Sequence, residues 1–576
     1  MTDFARLLTA EGEALLASPD TTPWEVYPRP HLCRDSFLCL NGSWDLAVTD
    51  GDATLFDGAI RVPFPPESIL SGVETVFPER ATLCYTRRFT LPDGFCRDRV
   101  LLHFGAVDQM AQVYLNGKHI GYHEGGYQSF TFDITPYLEE ENLLMVQVTD
   151  HLSDHILPYG KQRRDRGGMW YTPVSGIWQT VWLESVAEQY ITALSVETNG
   201  NTATIKTSWN GSPIDGTVTV KTPDGEITAP LQNGVAAVTV EAPRLWSPED
   251  PFLYDFTVET PVDTVSSYFA FRTLTVETVD GYPRMCLNGK PYFFHGLLDQ
   301  GYFSDGIFTP ASPAGYERDI KAMKALGFNT LRKHIKVEPA VFYHLCDRLG
   351  MVVFQDIVNN GDYSFLRDTA LPTVGLLKRD DTRLHRDPKT RWAFLTHMEQ
   401  TVEQLRHHPS ICLWTIFNEG WGQFCGTEAY RKLKALDDTR FIDTASGWFM
   451  GCESDLDSRH IYFRPVKLKA GDKPLYLSEF GGYVYKPEGH VFNTKKSYGY
   501  GSQKTREDFV AALTRLYREE ILPLIPQGLC ATVYTQVSDV EDETNGLLSY
   551  DRKVQKVTEA EFRPISEALV GAIDRE

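Results

Sequence analysis

From about residue 276 onward the chain repeats one pattern through roughly 300 residues: a short apolar run, a loop, then a helical stretch. PYFFHG precedes a helical stretch over 313–326, and FNTLR precedes another over 338–349. MVVFQD is followed, after a long loop, by a stretch over 391–407, and ICLWTIF by one over 426–436. FIDTA, HIYF, PLYLSEF and ATVYTQ complete the series, with helices near 505–521 and 559–573. The helical signal is weakest around FIDTA and HIYF. Eight apolar strand candidates, mostly alternating with helices in this length, predict a (β/α)8 TIM barrel.

Upstream the texture is different. From about 36 to 185 short alternating runs are split by turn residues, as in Gly42-Ser43-Trp44-Asp45 and Leu115-Asn116-Gly117-Lys118. VLLHFGAVDQMAQVYLNGKHIGY reads as two strands joined by a tight Asn-Gly turn. Helical periodicity is almost missing there, which predicts a β jelly-roll sandwich. From 186 to 275 the runs are shorter and Thr/Val-rich, and their length fits an immunoglobulin-like β-sandwich without the Cys…Trp…Cys framework. The expected division is therefore 1–185, 186–275 and 276–576. A hydrophobic content of 42% is enough to build three cores.

Lys plus Arg number 56 and Asp plus Glu 77, a net charge of −21. Such a field repels phosphate, so nucleic acid is not an expected partner and a neutral substrate is favoured. None of the ten cysteines has Cys-x-x-Cys spacing, which argues against a zinc or redox motif. No Gly-x-Gly-x-x-Gly or P-loop is present, so no organic cofactor is expected. No run approaches the roughly 18 apolar residues of a membrane span. MTDFARLLTAEGEALL has no basic region leading into an apolar one. The expectation is a reduced, cytoplasmic protein that does not enter a membrane.

A TIM barrel does its chemistry at the C-terminal ends of its strands. The fourth run, 411–417, ends in Asn418-Glu419-Gly420-Trp421, and the seventh in Ser478-Glu479-Phe480-Gly481-Gly482. A solvated strand-end glutamate is the plain alternative for either alone. Two of them on one barrel point instead to paired carboxylates, the machinery of glycoside hydrolysis. His334, Asp299, Asp356, Trp421 and Tyr534 also end or follow strands, as contacts to sugar hydroxyls and ring faces or as supports behind them.

In order and spacing, several short segments together resemble glycoside hydrolase family 2, the group of β-galactosidases, β-glucuronidases and β-mannosidases. They are Leu40-Asn41-Gly42-Ser43-Trp44, Tyr85-Thr86-Arg87-Arg88-Phe89, Gly176-Ile177-Trp178, Leu245-Trp246-Ser247-Pro248 and Leu287-Asn288-Gly289-Lys290-Pro291. The resemblance covers nearly the whole chain. It implies a sugar-binding jelly roll, an immunoglobulin-like domain, a catalytic barrel and double displacement with retention. By it Glu419 is the acid/base and Glu479 the nucleophile. Asn418 contacts the sugar 2-hydroxyl, Arg332 lies near the nucleophile and Tyr462 donates to it. A divalent or sodium ion accompanies some relatives, with no ligand set to name here, and homo-oligomers are common.

Which sugar is less determined. Family β-glucuronidases clamp the substrate carboxylate with Asn-x-Lys before a final Asp-Arg-Lys. Here Glu543 and Asn545 occupy the expected positions ahead of Asp551-Arg552-Lys553, and Asn493-Thr494-Lys495 fits the pattern in the wrong place. An acidic residue there would repel a uronate. A neutral β-galactoside is the expectation, with β-glucuronide, β-mannoside or β-galacturonide specificity, or an inactive carbohydrate-binding protein, as alternatives. The long segment 357–387 reads as a rim or lid, or as a surface insertion.

Overall fold

The computed structural model describes residues 4–373, 375–376 and 380–573. Eight parallel strands form its C-terminal half: β1 (Phe294–Asp299), β2 (Thr330–Lys333), β3 (Val352–Asp356), β4 (Ile411–Asn418), β5 (Phe441–Ser446), β6 (Asp457–Ile461), β7 (Leu475–Phe480) and β8 (Leu529–Tyr534). They pair in the order β5-β4-β3-β2-β1-β8-β7-β6. β5 and β6 adjoin without a ladder, so the barrel is near-closed. Every residue of β4, β5, β7 and β8 is buried, because helices cover the outside and side chains fill the inside. That two-sided burial is why these strands are continuous apolar runs.

Among the described residues six helices of full length surround the barrel: α1 (Pro313–Ala325), α2 (Ala340–Leu349), α3 (Pro388–Leu405), α4 (Gly426–Leu436), α5 (Arg506–Arg515) and α6 (Glu559–Val570). Their ends follow local chemistry. Asp387 caps α3 by accepting from Thr390 N–H, with Pro388 at the first helical position. Thr558 and Glu561 form a capping box on α6. No helix follows β5 or β6 among the described residues, where the sequence signal was weakest. The link 447–456 is shorter than a crossover helix needs. The link 462–474 carries Pro465, Gly471 and Pro474.

The first sandwich packs a six-stranded sheet on a four-stranded one around Trp44, Leu46, Val113, Leu144 and Val146. Its Asn116-Gly117 turn has both residues at positive φ, as a two-residue hairpin requires. The second sandwich, of three- and four-stranded sheets, buries Ile205, Val218, Val220 and Phe256. One difference from the expected division lies at the start. Residues before Leu38 are not sandwich strands: Leu7, Leu15 and Trp24 pack in the barrel's core and Leu32 in the second sandwich. This segment thus runs as a strap over the cores of the barrel and the second sandwich. A second excursion, within 150–175, leaves the first sandwich for the barrel mouth, where Tyr171 Oη donates to Glu543 and Thr172 N–H to Glu541.

Candidate active site

β4 delivers Asn418 as its last residue, and the backbone then turns sharply. Glu419 has φ +51°, a left-handed conformation that costs a non-glycine residue about 1–2 kcal/mol. Its N–H donates to Ser446 O on β5 at 3.0 Å, and Gly420 continues the turn at φ +74°. Glu479 sits within β7, one strand from the seam. An oxygen of each carboxylate and a ring nitrogen of His460 all lie within 4.8 Å of one another, and all three residues are buried.

The two carboxylates are held differently. Glu479 accepts from Arg332 Nη1 at 3.2 Å and from Tyr462 Oη at 2.7 Å. Arg332, on β2, is fully buried and also donates to Asp356 (2.9 Å), the Ser478 carbonyl (3.1 Å) and Asn418 Oδ1 (2.9 Å). Burial alone would raise the pKa of Glu479, but the charges of His460 and Arg332 and the Tyr462 hydrogen bond outweigh it, holding the group below the ordinary carboxyl range. Glu419 has one partner, His460 Nδ1 at 2.9 Å. Burial and the neighbouring Glu479 charge raise its pKa despite that bond. One carboxyl is thus biased toward the anion and the other toward the acid.

The remaining sequence-predicted residues divide. Asn418, Arg332, Asp356 and Tyr462 join the carboxylate pair through the bonds above. His334 stands behind them, its Nδ1 2.8 Å from Asp356 Oδ2, and burial lowers its pKa to about 4. Trp421, two residues beyond Glu419, stacks with its ring centroid 5.2 Å from that of Trp170 of the first sandwich's excursion. Asp299 is engaged elsewhere: its oxygens accept from Lys333 Nζ (2.6 Å) and Gly301 N–H (2.9 Å). Tyr534 is fully buried beneath the mouth, and its Oη accepts from Tyr483 N–H at 3.2 Å. The carboxylate pair does not suit a cation, since Arg332 already supplies its counter-charge and both Glu479 oxygens are taken.

Sequence reasoning missed His460, although it stands two residues before Tyr462 and strand period would place both on one face. It also missed Lys161, carried in from the first sandwich. Lys161 is 6% exposed, and its ammonium lies 5.6 Å from the ring centroids of both Tyr171 and Trp421. No ion pair or hydrogen bond holds that ammonium among the described residues. Its charge acts on Glu419, His334 and Glu543. A cavity of about 580 Å³ opens over Glu419 and His460, walled by Tyr462, Phe463, Tyr498 and Tyr500. The segment 357–387 contributes Thr369, Pro372 and Gly375 to that wall, and Tyr363 packs on Trp170 and Trp421. Its residues 374 and 377–379 lie outside the described residues.

Comparison with known proteins agrees with this architecture. Models of glycosyl hydrolases family 2 match in succession: the sugar binding domain over 61–186, the family 2 domain over 180–272 and the TIM barrel domain over 279–464. A β-galactosidase large subunit of Leuconostoc lactis is 27% identical over 67% of this chain and 62% of its own length. A β-galactosidase of Aeromonas hydrophila is 28% identical over 75% of this chain and 42% of its own length. The chain therefore spans less than two thirds of these relatives. Among solved structures, the β-D-glucuronidase of Dictyoglomus thermophilum superposes with a TM-score of 0.70 at 18% identity, covering 96% of this chain and 99% of that one. A β-galacturonidase of Eisenbergiella tayi gives 0.66 at 18% identity over 95% and 99%. At that identity they share the fold. Three successive domains matched by models of one family lead to a plain conclusion: the chain belongs to glycosyl hydrolases family 2.

Proposed function

We propose that the chain hydrolyses terminal β-linked sugars by double displacement. The supporting observation is the approach of the Glu419 and Glu479 oxygens to within 4.8 Å. Retaining enzymes separate their carboxyl groups by roughly 5–5.5 Å, while inverting ones need roughly 6.5–9.5 Å to seat a water. In the first step Glu419 gives its proton to the glycosidic oxygen. Glu479 attacks the anomeric carbon, the bond to the leaving oxygen breaks, and the sugar is left on the enzyme as an ester. In the second, the Glu419 carboxylate takes a proton from water, whose oxygen displaces Glu479. Arg332 and Tyr462 keep Glu479 anionic and aimed. Asn418 accepts from Arg332 through Oδ1, which leaves its amide N–H groups to donate to a sugar hydroxyl. Proton NMR of the first sugar released from an aryl β-glycoside tests the stereochemistry. The β-anomer is expected, and the α-anomer would overturn double displacement.

The favoured glycone is neutral, with β-galactoside first. Glu543 is buried beside the site, held by Tyr171 Oη and Gln536 Nε2. The two relatives matched by sequence over 67% and 75% of this chain are β-galactosidases, while the two solved structures are by name a β-D-glucuronidase and a β-galacturonidase. One observation favours a second reading, an acidic glycone: the unpaired ammonium of Lys161 could receive a sugar carboxylate. A panel of aryl β-galactoside, glucuronide, galacturonide, glucoside and mannoside separates the two, together with Lys161→Met. Under the neutral reading galactoside leads and the variant affects all sugars alike. Selective collapse of uronide turnover in the variant would replace it. The exposed Phe463 on the wall of this cavity suits an apolar aglycone.

A further inference from the structure

The cavity over Glu419 has a positively charged outer wall. A proton from Glu419 goes to the leaving oxygen, so whatever lies beyond that oxygen occupies the space on the Glu419 side. That space is one cavity of about 580 Å³, lined at once by Glu419 and by Arg464, Lys467 and Lys469. All three cations are exposed, and among the described residues no ion pair or hydrogen bond engages their side chains. Arg459 adds a fourth cation, half-buried on β6 and offset by Asp457 at 2.8 Å. Glu419 is the one carboxylate among the described lining residues. In a chain of net charge −21, this local excess of positive charge runs against the background.

The fold holds these cations in place. They lie on the link 462–474, which runs from β6 to β7 without a helix. Val466 is buried in the barrel's core, Leu468 packs against that core, and Val466 N–H donates to Glu520 at 2.6 Å. These contacts fix the backbone, and Lys467 and Lys469, at the alternate positions, stay exposed at the cavity's edge. Aromatic surface lies beside them. Phe463, 76% exposed, lines the same wall, and Tyr462 and Tyr500 stack there with ring centroids 3.8 Å apart. A flat ring can lie against Phe463 while an acidic substituent on it reaches the cations.

We propose that the leaving-group half of the site takes an aglycone bearing an anion, a carboxylate or sulfate carried on an aromatic or pyranose ring. This rests on the reading of Glu419 as the proton donor and goes beyond it by naming the class of leaving group that Glu419 protonates. Lys161 is not among the residues lining this cavity, so the preference concerns the leaving group and not the sugar held at the carboxylate pair. Arg464 offers a planar fork to a carboxylate or sulfate, and the two lysines offer point charges on flexible stems. Exposed ion pairs are individually weak and are screened by salt, so the three together should give about a tenfold preference at low ionic strength.

The test compares kcat/KM for two aryl β-glycosides of one sugar, the 3-carboxy-4-nitrophenyl glycoside and its uncharged 3-carbamoyl counterpart. A second pair is a β-linked disaccharide whose reducing sugar is a uronate and its neutral hexose counterpart. The anionic member is expected to lead by about tenfold in at least one pair, through KM, and the lead should shrink as NaCl is raised. A lead in the first pair identifies an aromatic acid as the ligand, and a lead in the second an acidic saccharide. Arg464→Gln, Lys467→Gln and Lys469→Gln combined should bring the ratio to about one, and Lys467→Glu with Lys469→Glu should invert it. Each single glutamine substitution should lower the ratio about twofold, which keeps the test open if the triple variant folds poorly. The Glu479→Gln chain, unable to turn over, should bind the carboxylate more tightly than the carboxamide in calorimetry. Equal kcat/KM within both pairs for the wild-type chain, or an unchanged ratio in the triple variant, would overturn the proposal and leave hydrolysis by Glu419 and Glu479 standing. If no member of either pair is hydrolysed, it is the reading of those two glutamates that fails, and the calorimetric comparison alone decides the anion site.

Discussion

Two groups of buried charge share the barrel mouth. Around β1 and β2, Asp299 and Glu338 face Lys333 and Lys336. Lys333 Nζ bridges Asp299 (2.6 Å) and Glu338 (2.9 Å), and Lys336 Nζ donates to both oxygens of Glu338 at 2.9 Å and to the carbonyls of Gly301 and Phe308. Around β2, β3, β4 and β7, the single guanidinium of Arg332 serves Asp356 and Glu479 and does not reach Glu419. The first group is balanced charge for charge, with its donors spent. The second holds three carboxylates, of which Glu419 takes no hydrogen bond from a guanidinium or ammonium, and burial with the neighbouring Glu479 charge favours a proton on it. A buried carboxylate at a strand end is available for chemistry only where its compensation is incomplete.

Substitutions can break that comparison. Glu479→Gln has the largest expected effect, a fall in aryl β-glycoside turnover on the order of 10⁴-fold or more. A rate near wild type would erase the distinction between the groups. Glu419→Ala should cost ~10²–10⁴-fold on glycosides that need leaving-group protonation, and much less on activated aryl leaving groups. Azide, a nucleophile that needs no base, should restore turnover and yield a β-glycosyl azide. The pH profile of kcat/KM sharpens the same point. Its acid limb reports Glu479, whose pKa is lowered because neighbouring positive charge outweighs burial, and its alkaline limb Glu419, whose pKa burial and Glu479 raise. Activity is lost as pH falls through the first and as it rises through the second. The alkaline limb should disappear in Glu419→Ala.

Asp299→Asn addresses the balanced group. Lys333 would lose one of its two carboxylates in a buried site, and removing one partner of a buried pair costs about 3–5 kcal/mol. Chemical denaturation should register that loss while KM for the glycoside stays unchanged. A raised KM at unchanged stability would return Asp299 to the sugar site, where its strand-end position suggested it belonged.

The barrel was legible because two-sided burial writes its strands as unbroken apolar runs, and Glu419 and Glu479 stood out as carboxylates ending such runs. What the residues could not disclose was pairing across long separations. Asp299 and Glu419 look alike at a strand end, and only Lys333, 34 residues away in the chain, distinguishes them. Lys161 and Trp170 reach the mouth from another domain, about 250 residues before Glu419. That no helix follows β5 or β6 among the described residues was foreshadowed by weak helical signal and a short link. The strap before Leu38 was not, since seven helical residues and scattered apolar ones carry no period long enough to read.

Tyr534 carries the smallest expected effect. It ends β8 as Glu479 nearly ends β7, and strand-end position alone suggested a sugar contact. Its ring instead packs against Phe480 at 5.7 Å, and so closely on Gly481 that a β-carbon there would come within 2.2 Å of it. Its Oη is occupied by Tyr483 N–H. Tyr534→Phe keeps the ring and removes one neutral hydrogen bond, a loss of about 0.5–1.5 kcal/mol in denaturation, more if the Tyr483 amide finds no water. kcat and KM should be unaltered, because the hydroxyl faces a backbone amide on the loop after β7 and not the cavity over Glu419. A KM increase confined to sugars bearing one particular hydroxyl, without any change in stability, would mean that Tyr534 exchanges its amide partner for the substrate.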